Sequence, residues 1–223
     1  MNINFQELEQ EQISLQEHLQ IDSISESNIH YIAGMDVQHG EEFGTCAYQI
    51  FDYNTGSVVE ENVFVLKESF PYEPGFLYYR EKNFMETAFS NMKIRPNVVA
   101  CDGNGILHPR YMGEASQFGI LNHIATIGIA KHIMKFDELE ERGEKYYINN
   151  ILVGEKVFLN PDSKVPMYVS SGYKVSQDLA VKVVQKMQTF SQKTKYSFLT
   201  KGSDHLAREK QKEIASKQKS SSF

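Results

Sequence analysis

The sequence predicts an α/β domain built on a mixed sheet, and three observations point there. Residues 44–53 (GTCAYQIFDY) and 57–67 (SVVEENVFVLK) are strand-type runs on either side of the turn signal Asn54-Thr55-Gly56, which makes an antiparallel meander. From residue 80 onward, strand-type runs alternate with segments of helical periodicity, the pattern of strands covered by helices. The chain has 223 residues, 41% of them hydrophobic and 12% aromatic, enough to bury one sizeable core.

The elements follow in order. Phe5, Leu8, Leu15 and Leu19 recur at helical spacing and predict an amphipathic helix over residues 1–20. HYIAGMDV (30–37) reads as a buried strand ending in an acid, followed by the meander. FPYEPGF (70–76) holds two prolines and a glycine and predicts a rigid, non-helical turn. Residues 80–93 carry helical periodicity through Phe84, Ala88 and Met92. NVVACD (97–102) is a strand, GEASQFGILNHI (113–124) a helix, and ATIGIAK (125–131) a strand. KVFLN (156–160) and PMYVSSGYKVS (166–176) are strands, and residues 177–190 form a helix through Leu179, Val183, Val184 and Met187. The expected organisation is one domain over residues 1–207 and a basic, flexible tail over 208–223.

Charge and cysteine content narrow the function classes. The net charge of −6 argues against a non-specific nucleic-acid binder, but the charge is unevenly spread. Residues 1–62 carry twelve acids and no Lys or Arg, whereas residues 193–223 carry eight basic residues and three acids. Local positive surface can still track a phosphate backbone. Cys46 and Cys101 form no metal or redox motif. No apolar run reaches ~18 residues and the N-terminus has no basic start or apolar core, so a cytoplasmic setting is expected.

The chemistry is suggested by acids at strand ends. In NVVACDGNGILHPR (97–110) a buried run stops on Asp102, and a glycine-rich loop then leads to His108 and Arg110. A second strand ends at Asp36, Glu81 follows the rigid turn, and Asp204 lies near the C-terminus. Strand-end side chains of α/β sheets converge where ligands bind. Carboxylates brought together need a cation between them, and Mg²⁺ is the usual hard-oxygen partner. A lone strand-end Asp serves more often as an N-cap or turn residue, and spacing alone leaves both readings open.

The longer motifs carry a resemblance. AGMDV, PYEPGFLYYRE, DGNGILHPRYMGEASQFG, TIGIAK and SSGYKVS occur in the order, and at about the spacing, of endonuclease V, and the similarity runs from about residue 30 to about 210. The resemblance implies a ribonuclease H-like mixed sheet with flanking helices. It implies a repair nuclease using Mg²⁺, with Mn²⁺ able to substitute, that cleaves DNA at the second phosphodiester 3′ to deoxyinosine, leaving a 3′-hydroxyl and a 5′-phosphate. By the same resemblance Asp36, Asp102 and Glu81 are metal ligands and Asp204 the C-terminal ligand, although neighbouring His205 is the alternative. His108 and Lys131 match further active-site positions. Pro71, Tyr72, Glu73 and Pro74 match a wedge that fills the space of an extruded base, and Gly75, Leu77 and Gly103 match the base pocket.

Three departures stand out against the family pattern. Lys201 replaces the usual Arg before the C-terminal ligand, Glu73 is polar at the wedge tip where an apolar residue is common, and Tyr173 stands where a His is usual. The expected partner is deoxyinosine-containing DNA, bound by a monomer away from any membrane. An inosine-specific endoribonuclease acting on RNA is the alternative, since discrimination rests on room for a 2′-hydroxyl. A catalytically weak lesion binder is a third reading, against which the intact Asp36, Glu81 and Asp102 argue.

Overall fold

The structure is a computed structural model that describes residues 3–160, 165–191 and 197–220. Its described residues form one mixed sheet of nine strands flanked by helices. The order across the sheet is β3-β2-β1-β4-β5-β9-β8-β7-β6. These are β1 (Tyr31–Gln38), β2 (Phe43–Asp52), β3 (Val58–Lys67), β4 (Val98–Cys101), β5 (Ala125–Ala130), β6 (Leu139–Arg142), β7 (Lys145–Ile148), β8 (Ile151–Val157) and β9 (Met167–Tyr173). The helices are α1 (Phe5–Leu15), α2 (Leu77–Ser90), α3 (Glu114–Asn122), α4 (Gln177–Gln188) and α5 (Phe198–Ser220).

The first three strands are the expected meander: β1, β2 and β3 pair antiparallel, and Asp52 Oδ1 accepts from the Asn54 and Thr55 N–H groups at 3.0 and 2.9 Å to close the β2–β3 turn. The centre is parallel, with β4 paired to both β1 and β5. Alternation along β1 and β4 sends Ile32, Val98 and Ala100 to one face and Ala33, Met35, Val99 and Cys101 to the other. The first face is covered by α4 and α5 through Val183, Val184, Met187 and Leu199, the second by α2 and α3 through Phe84, Met85, Ala88 and Phe118. Both faces are buried, which is why β4 is apolar throughout and β5 apolar but for Thr126, whose Oγ1 donates to the Ala115 carbonyl at 2.7 Å.

Three expectations change in detail. Helix α2 begins at Leu77, not at residue 80, so Glu81 lies a full turn inside it. The β6–β7–β8 hairpins were not foreseen, and the strand expected over 156–160 lies earlier, as β8 over Ile151–Val157; the hairpin turns are Gly143 (φ +66°) and the Asn149–Asn150 pair (φ +50° and +64°). The C-terminal segment expected to fray continues α5 to Ser220. Thr45 Oγ1 donates to the Ala207 carbonyl at 2.9 Å and Gln211 Nε2 to the Phe43 carbonyl at 2.8 Å, which docks the helix on β2. Beyond that point ion pairs at helical spacing, Lys210–Glu213, Lys212–Glu209 and Lys217–Glu213, support a helix with little to bury. Residues 221–223 of the expected tail, and Met1 and Asn2 of the expected first helix, lie outside the described residues. No helix among the described residues is long and apolar enough to cross a membrane.

Helix α5 lies directly on the backbone of β1. A Cβ at Gly34 would sit 1.6 Å from the Leu199 carbonyl oxygen, so the helix cannot approach over any larger residue. Gly34→Ala should therefore cost about 2–3 kcal/mol of unfolding free energy in urea titrations, as overpacking against backbone does. A change below ~0.5 kcal/mol would show that the helix is not seated there.

Candidate active site

The parallel register sets the site. Met35 pairs with Cys101 and Cys101 with Gly128, and the Asp102 N–H extends the ladder to the Met35 carbonyl at 3.1 Å. Asp36 on β1, Asp102 just past β4 and Lys131 just past β5 thus emerge side by side. Helix α5 adds Asp204 from above β1. Oxygen atoms of Asp36, Asp102 and Asp204 lie within 4.8 Å of one another, the only such group of potential metal ligands among the described residues. His205, the alternative ligand, is exposed on the same helix.

Lys131 answers part of the negative charge. Its Nζ is 2.5 Å from Asp102 Oδ2 and 3.2 Å from Asp204 Oδ1. Burial works against the ammonium, but Asp102, Asp36 and Asp204 outweigh it and its pKa rises. Burial pushes Asp36 well above the usual carboxylate range, and Asp102 adds to that rise; Gln38 Nε2 donates to its Oδ2 at 2.7 Å. Asp204 moves down: burial opposes this, but its bonds to Arg208 (2.9 Å) and Lys131 prevail. Three acids opposed by Lys131 and, at Asp204, by Arg208 form a set of hard oxygen donors that fits Mg²⁺ or Mn²⁺.

Glu81 lies beside this group and outside it. Its Oε1 is 2.9 Å from His39 Nε2, whose Nδ1 is 2.8 Å from Glu68, and Glu68 also faces Arg80 at 3.6 Å. Burial lowers the His39 pKa despite Glu68, and burial together with Asp36 raises that of Glu81. The Glu81 carboxyl also touches that of Glu114, the first residue of α3, and both are buried. Glu114 is pushed well above the usual carboxylate range, first by burial and then by Glu81. Sequence reading missed both His39 and Glu114. The signal for Glu114 was its place at the start of a helix twelve residues beyond Asp102, in a segment otherwise buried.

Behind the carboxylates a cavity of about 280 Å³ opens between the rigid turn, the 104–114 segment and residues 132–134. Tyr72, Pro74, Gly75 and Leu77 line it together with Asn104, His108, Glu114 and Gln117. Tyr72 at the turn's tip is 62% exposed. Gly75 has φ +81°, which favours glycine, and its carbonyl is held by His108 Nε2 (3.1 Å), Gln12 Nε2 (3.0 Å) and Arg110 Nη2 (3.2 Å). His108 therefore faces the turn and not the carboxylates. Gly103 lies beneath Glu114: a Cβ there would come within 2.4 Å of Glu114 Oε2. Tyr173 packs with Met112 and Ile120 in a small apolar cluster. On the far side of Asp204 a second hollow is lined by Lys131, Thr200, Lys201 and Arg208.

The comparisons with known proteins agree with this geometry. The family model for endonuclease V matches residues 13–195. The chain belongs to the endonuclease V family, and it is a nuclease. Endonuclease V of Dictyoglomus thermophilum is 32% identical over 188 residues, 81% of this chain and 82% of the relative. That of Rippkaea orientalis is 33% identical over 211 residues, 88% and 89% of the two chains. Among solved structures, Ciona intestinalis endonuclease V, crystallised with a 24mer DNA containing an inosine followed by a ribo-adenosine, superposes with a TM-score of 0.86 at 26% identity over 94% of this chain and 98% of that one. Streptomyces avermitilis endonuclease V gives 0.84 at 27% identity, covering 96% of each chain.

The buried His108 gives a test of the cavity wall. Burial and Arg110 lower its pKa to about 3, against roughly 6.5 unfolded. The imidazole is then neutral, donating from Nε2 to Gly75 and accepting at Nδ1 from the Arg110 N–H at 3.2 Å. Between these two pKa values the unfolded chain takes a proton that the folded chain refuses, so His108 contributes stability above pH ~6.5 that is lost as pH falls toward 3. The stability advantage of the parent over His108→Asn should shrink between pH 7 and pH 4.5 in urea titrations. Parallel curves would show that the histidine titrates normally.

Proposed function

We propose that this protein is a metal-dependent endonuclease that cleaves DNA at the second phosphodiester 3′ to deoxyinosine, in repair of deaminated adenine. The observation that carries the reading is the juxtaposition of a carboxylate triple with a separate cavity under an exposed aromatic tip. The complex of the Ciona relative with inosine-containing DNA supports the same substrate.

Asp36, Asp102 and Asp204 would hold Mg²⁺ or Mn²⁺, with Glu81 beside them. The ion, when bound, supplies Lewis-acid stabilisation of the phosphate undergoing attack and an activated water. Lys131, Lys201 and Arg208 line the hollow beside Asp204 and serve as contacts for backbone phosphates. With a cation held by Asp102 and Asp204, the Lys131 ammonium that faces them would be placed to pair with the scissile phosphate. Tyr72, between Pro71 and Pro74, stands ready to fill the gap left by an extruded base, because the prolines fix φ and lower the entropic cost. Glu73 at the same tip is exposed and polar, so stacking rests on Tyr72. The base enters the cavity between Gly75, Leu77 and the Gly103–Asn104 segment. The cavity and the carboxylates are built from different pieces of chain, which is why the bond cut is offset from the base held.

A 5′-labelled duplex with one deoxyinosine, incubated with Mg²⁺ or EDTA and run beside a sequence ladder, tests the reading. The expected product ends in a 3′-hydroxyl one nucleotide beyond the lesion, appears only with metal, and falls by at least a hundredfold in Asp102→Ala. Release of free hypoxanthine, or cutting in EDTA, would overturn it. A matched RNA strand run in parallel reports the substrate sugar.

Tyr72→Ala should weaken binding to the deoxyinosine duplex by several-fold more than to the same single strand, since only the duplex has a stack to refill. Fluorescence anisotropy in Ca²⁺ measures both. Equal losses would make Tyr72 an ordinary surface residue.

A further inference from the structure

Behind Glu81 runs a chain of side chains, carboxylate to imidazole to carboxylate, drawn from three elements. His39 follows the last residue of β1, Glu68 follows the last residue of β3, and Arg80 and Glu81 lie on α2. His39 Nδ1 is 2.8 Å from Glu68 Oε1, and its Nε2 is 2.9 Å from Glu81 Oε1. Turning the ring over would set carbon atoms against both carboxyls, so the two contacts together fix its orientation. Phe84 meets the imidazole edge-on, with ring centroids 6.0 Å apart at 83°. Glu68 is held in turn: its Oε1 accepts from the Gly40 N–H at 3.4 Å, and its Oε2 faces Arg80 Nε at 3.6 Å. Residue 44 has to be glycine for this packing, since a Cβ there would come within 2.6 Å of Glu68 Oε1 and 2.8 Å of the Phe84 ring. Among the described residues no hydrogen bond or ion pair joins Glu68 directly to Glu81, Asp36, Asp102 or Asp204. Glu81 itself stands close enough to the carboxylate triple for the charges of Asp36 and Asp102 to act on it.

We propose that His39, clamped by Glu68, is a positioning residue of the metal centre: it orients the Glu81 carboxyl so that Glu81 joins Asp36, Asp102 and Asp204 in holding a divalent cation. The inference rests on the reading of these acids as a metal centre. A glutamate has three side-chain torsions, and fixing them when an ion arrives costs conformational entropy. A carboxyl already gripped from behind meets that cost on folding instead, and partners that grip a ligand in this way govern how tightly a metal is held. The imidazole suits the task because it is flat and rigid, with a polar atom at each end of the contact. Glu68 and Arg80 do not approach the ion in this scheme. They keep the imidazole from turning, and α2 carries both Arg80 and Glu81, so the clamp and the carboxyl it orients belong to one rigid helix.

The test measures Mn²⁺ binding to the metal-free protein in the absence of DNA, from the electron paramagnetic resonance signal of the free ion, which is lost on binding. His39→Phe keeps a ring against Phe84 but removes both nitrogens, and it should weaken Mn²⁺ binding about tenfold. Glu68→Ala should weaken it several-fold. Added to His39→Phe, the Glu68→Ala change should cause no further loss, because Glu68 acts through the imidazole; a plain loss of negative charge near the ion would persist in that background. A purely structural role would lower the urea midpoints of the variants and leave their Mn²⁺ affinity where it was. Unchanged or tighter Mn²⁺ binding by His39→Phe would overturn the inference, as would equal losses from Glu68→Ala with and without His39. If His39→Phe does not fold, Glu68→Ala decides, and an unaltered Mn²⁺ affinity there overturns the inference. Glu81→Gln tests the reading beneath it. That variant should also lose Mn²⁺ affinity, and the absence of any loss would instead overturn the placing of Glu81 at the metal centre.

Discussion

The site depends on how closely α5 approaches β1. Asp36 and Asp102 are brought together by strand pairing, which any parallel pair would achieve. Asp204 is different, because it comes from a helix some hundred residues later in the chain that must lie almost on the sheet backbone. That approach is possible because residue 34 has no side chain, leaving the Leu199 carbonyl in the space a Cβ would fill. The same helix is gripped further along by Thr45 and Gln211. The third carboxylate is therefore placed by packing, and its position is as rigid as the sheet it rests on.

Packing of this kind works against electrostatics. Like charges at separations up to 4.8 Å repel by on the order of 3–4 kcal/mol for each ionised pair at an intermediate dielectric. The pKa of Asp36, raised first by burial and then by Asp102, and the strong draw on Lys131 both reflect this crowding. A third sign of it lies one layer away, where His39, Glu68 and Arg80 gather on one side of Glu81 and the buried Glu114, its pKa also pushed well up, lies on the other. The protein thus carries more acid here than its own cations neutralise. Such a centre gains stability from any cation that binds the folded form alone, and the local cost is tolerated because the surrounding core is close-packed on both faces of the sheet.

Much of this was legible in the sequence, and the residues that were not share a physical reason. Strand-type runs ending in Asp36 and Asp102 gave the sheet centre, and PYEPGF gave the rigid turn, because prolines, glycines and apolar runs act locally. The AGMDV and DGNG motifs carried the family. Helix α5 beyond residue 207 was hidden because its support is ion pairing and two docking bonds, which leave no apolar stripe. The β6–β7–β8 hairpins were hidden because β6 and β7 are only four residues each, too short to show an alternation, and their apolar side chains gain a partner only when the hairpins fold against the loop after β4. His39 and Glu114 have meaning only through Glu81, which lies 42 and 33 positions away in sequence, and no pattern along the chain marks such a meeting.

The N-terminal helix shows how the parts are kept in register. Gln12 is fully buried and bridges the rigid turn to the loop after β4: its Nε2 donates to Gly75, and its Oε1 accepts from Arg110 Nε at 2.5 Å. Arg110 in turn lies over the Phe76 ring at 4.8 Å and pairs with Glu9. The wedge turn and the loop that follows Asp102 are thereby clamped to one helix and to each other. This clamp fixes the walls of the cavity, while the carboxylate triple is fixed by the sheet ends and α5. The two frames meet at Glu81 and Glu114, so the contact between those carboxyls links the cavity wall to the carboxylate cluster.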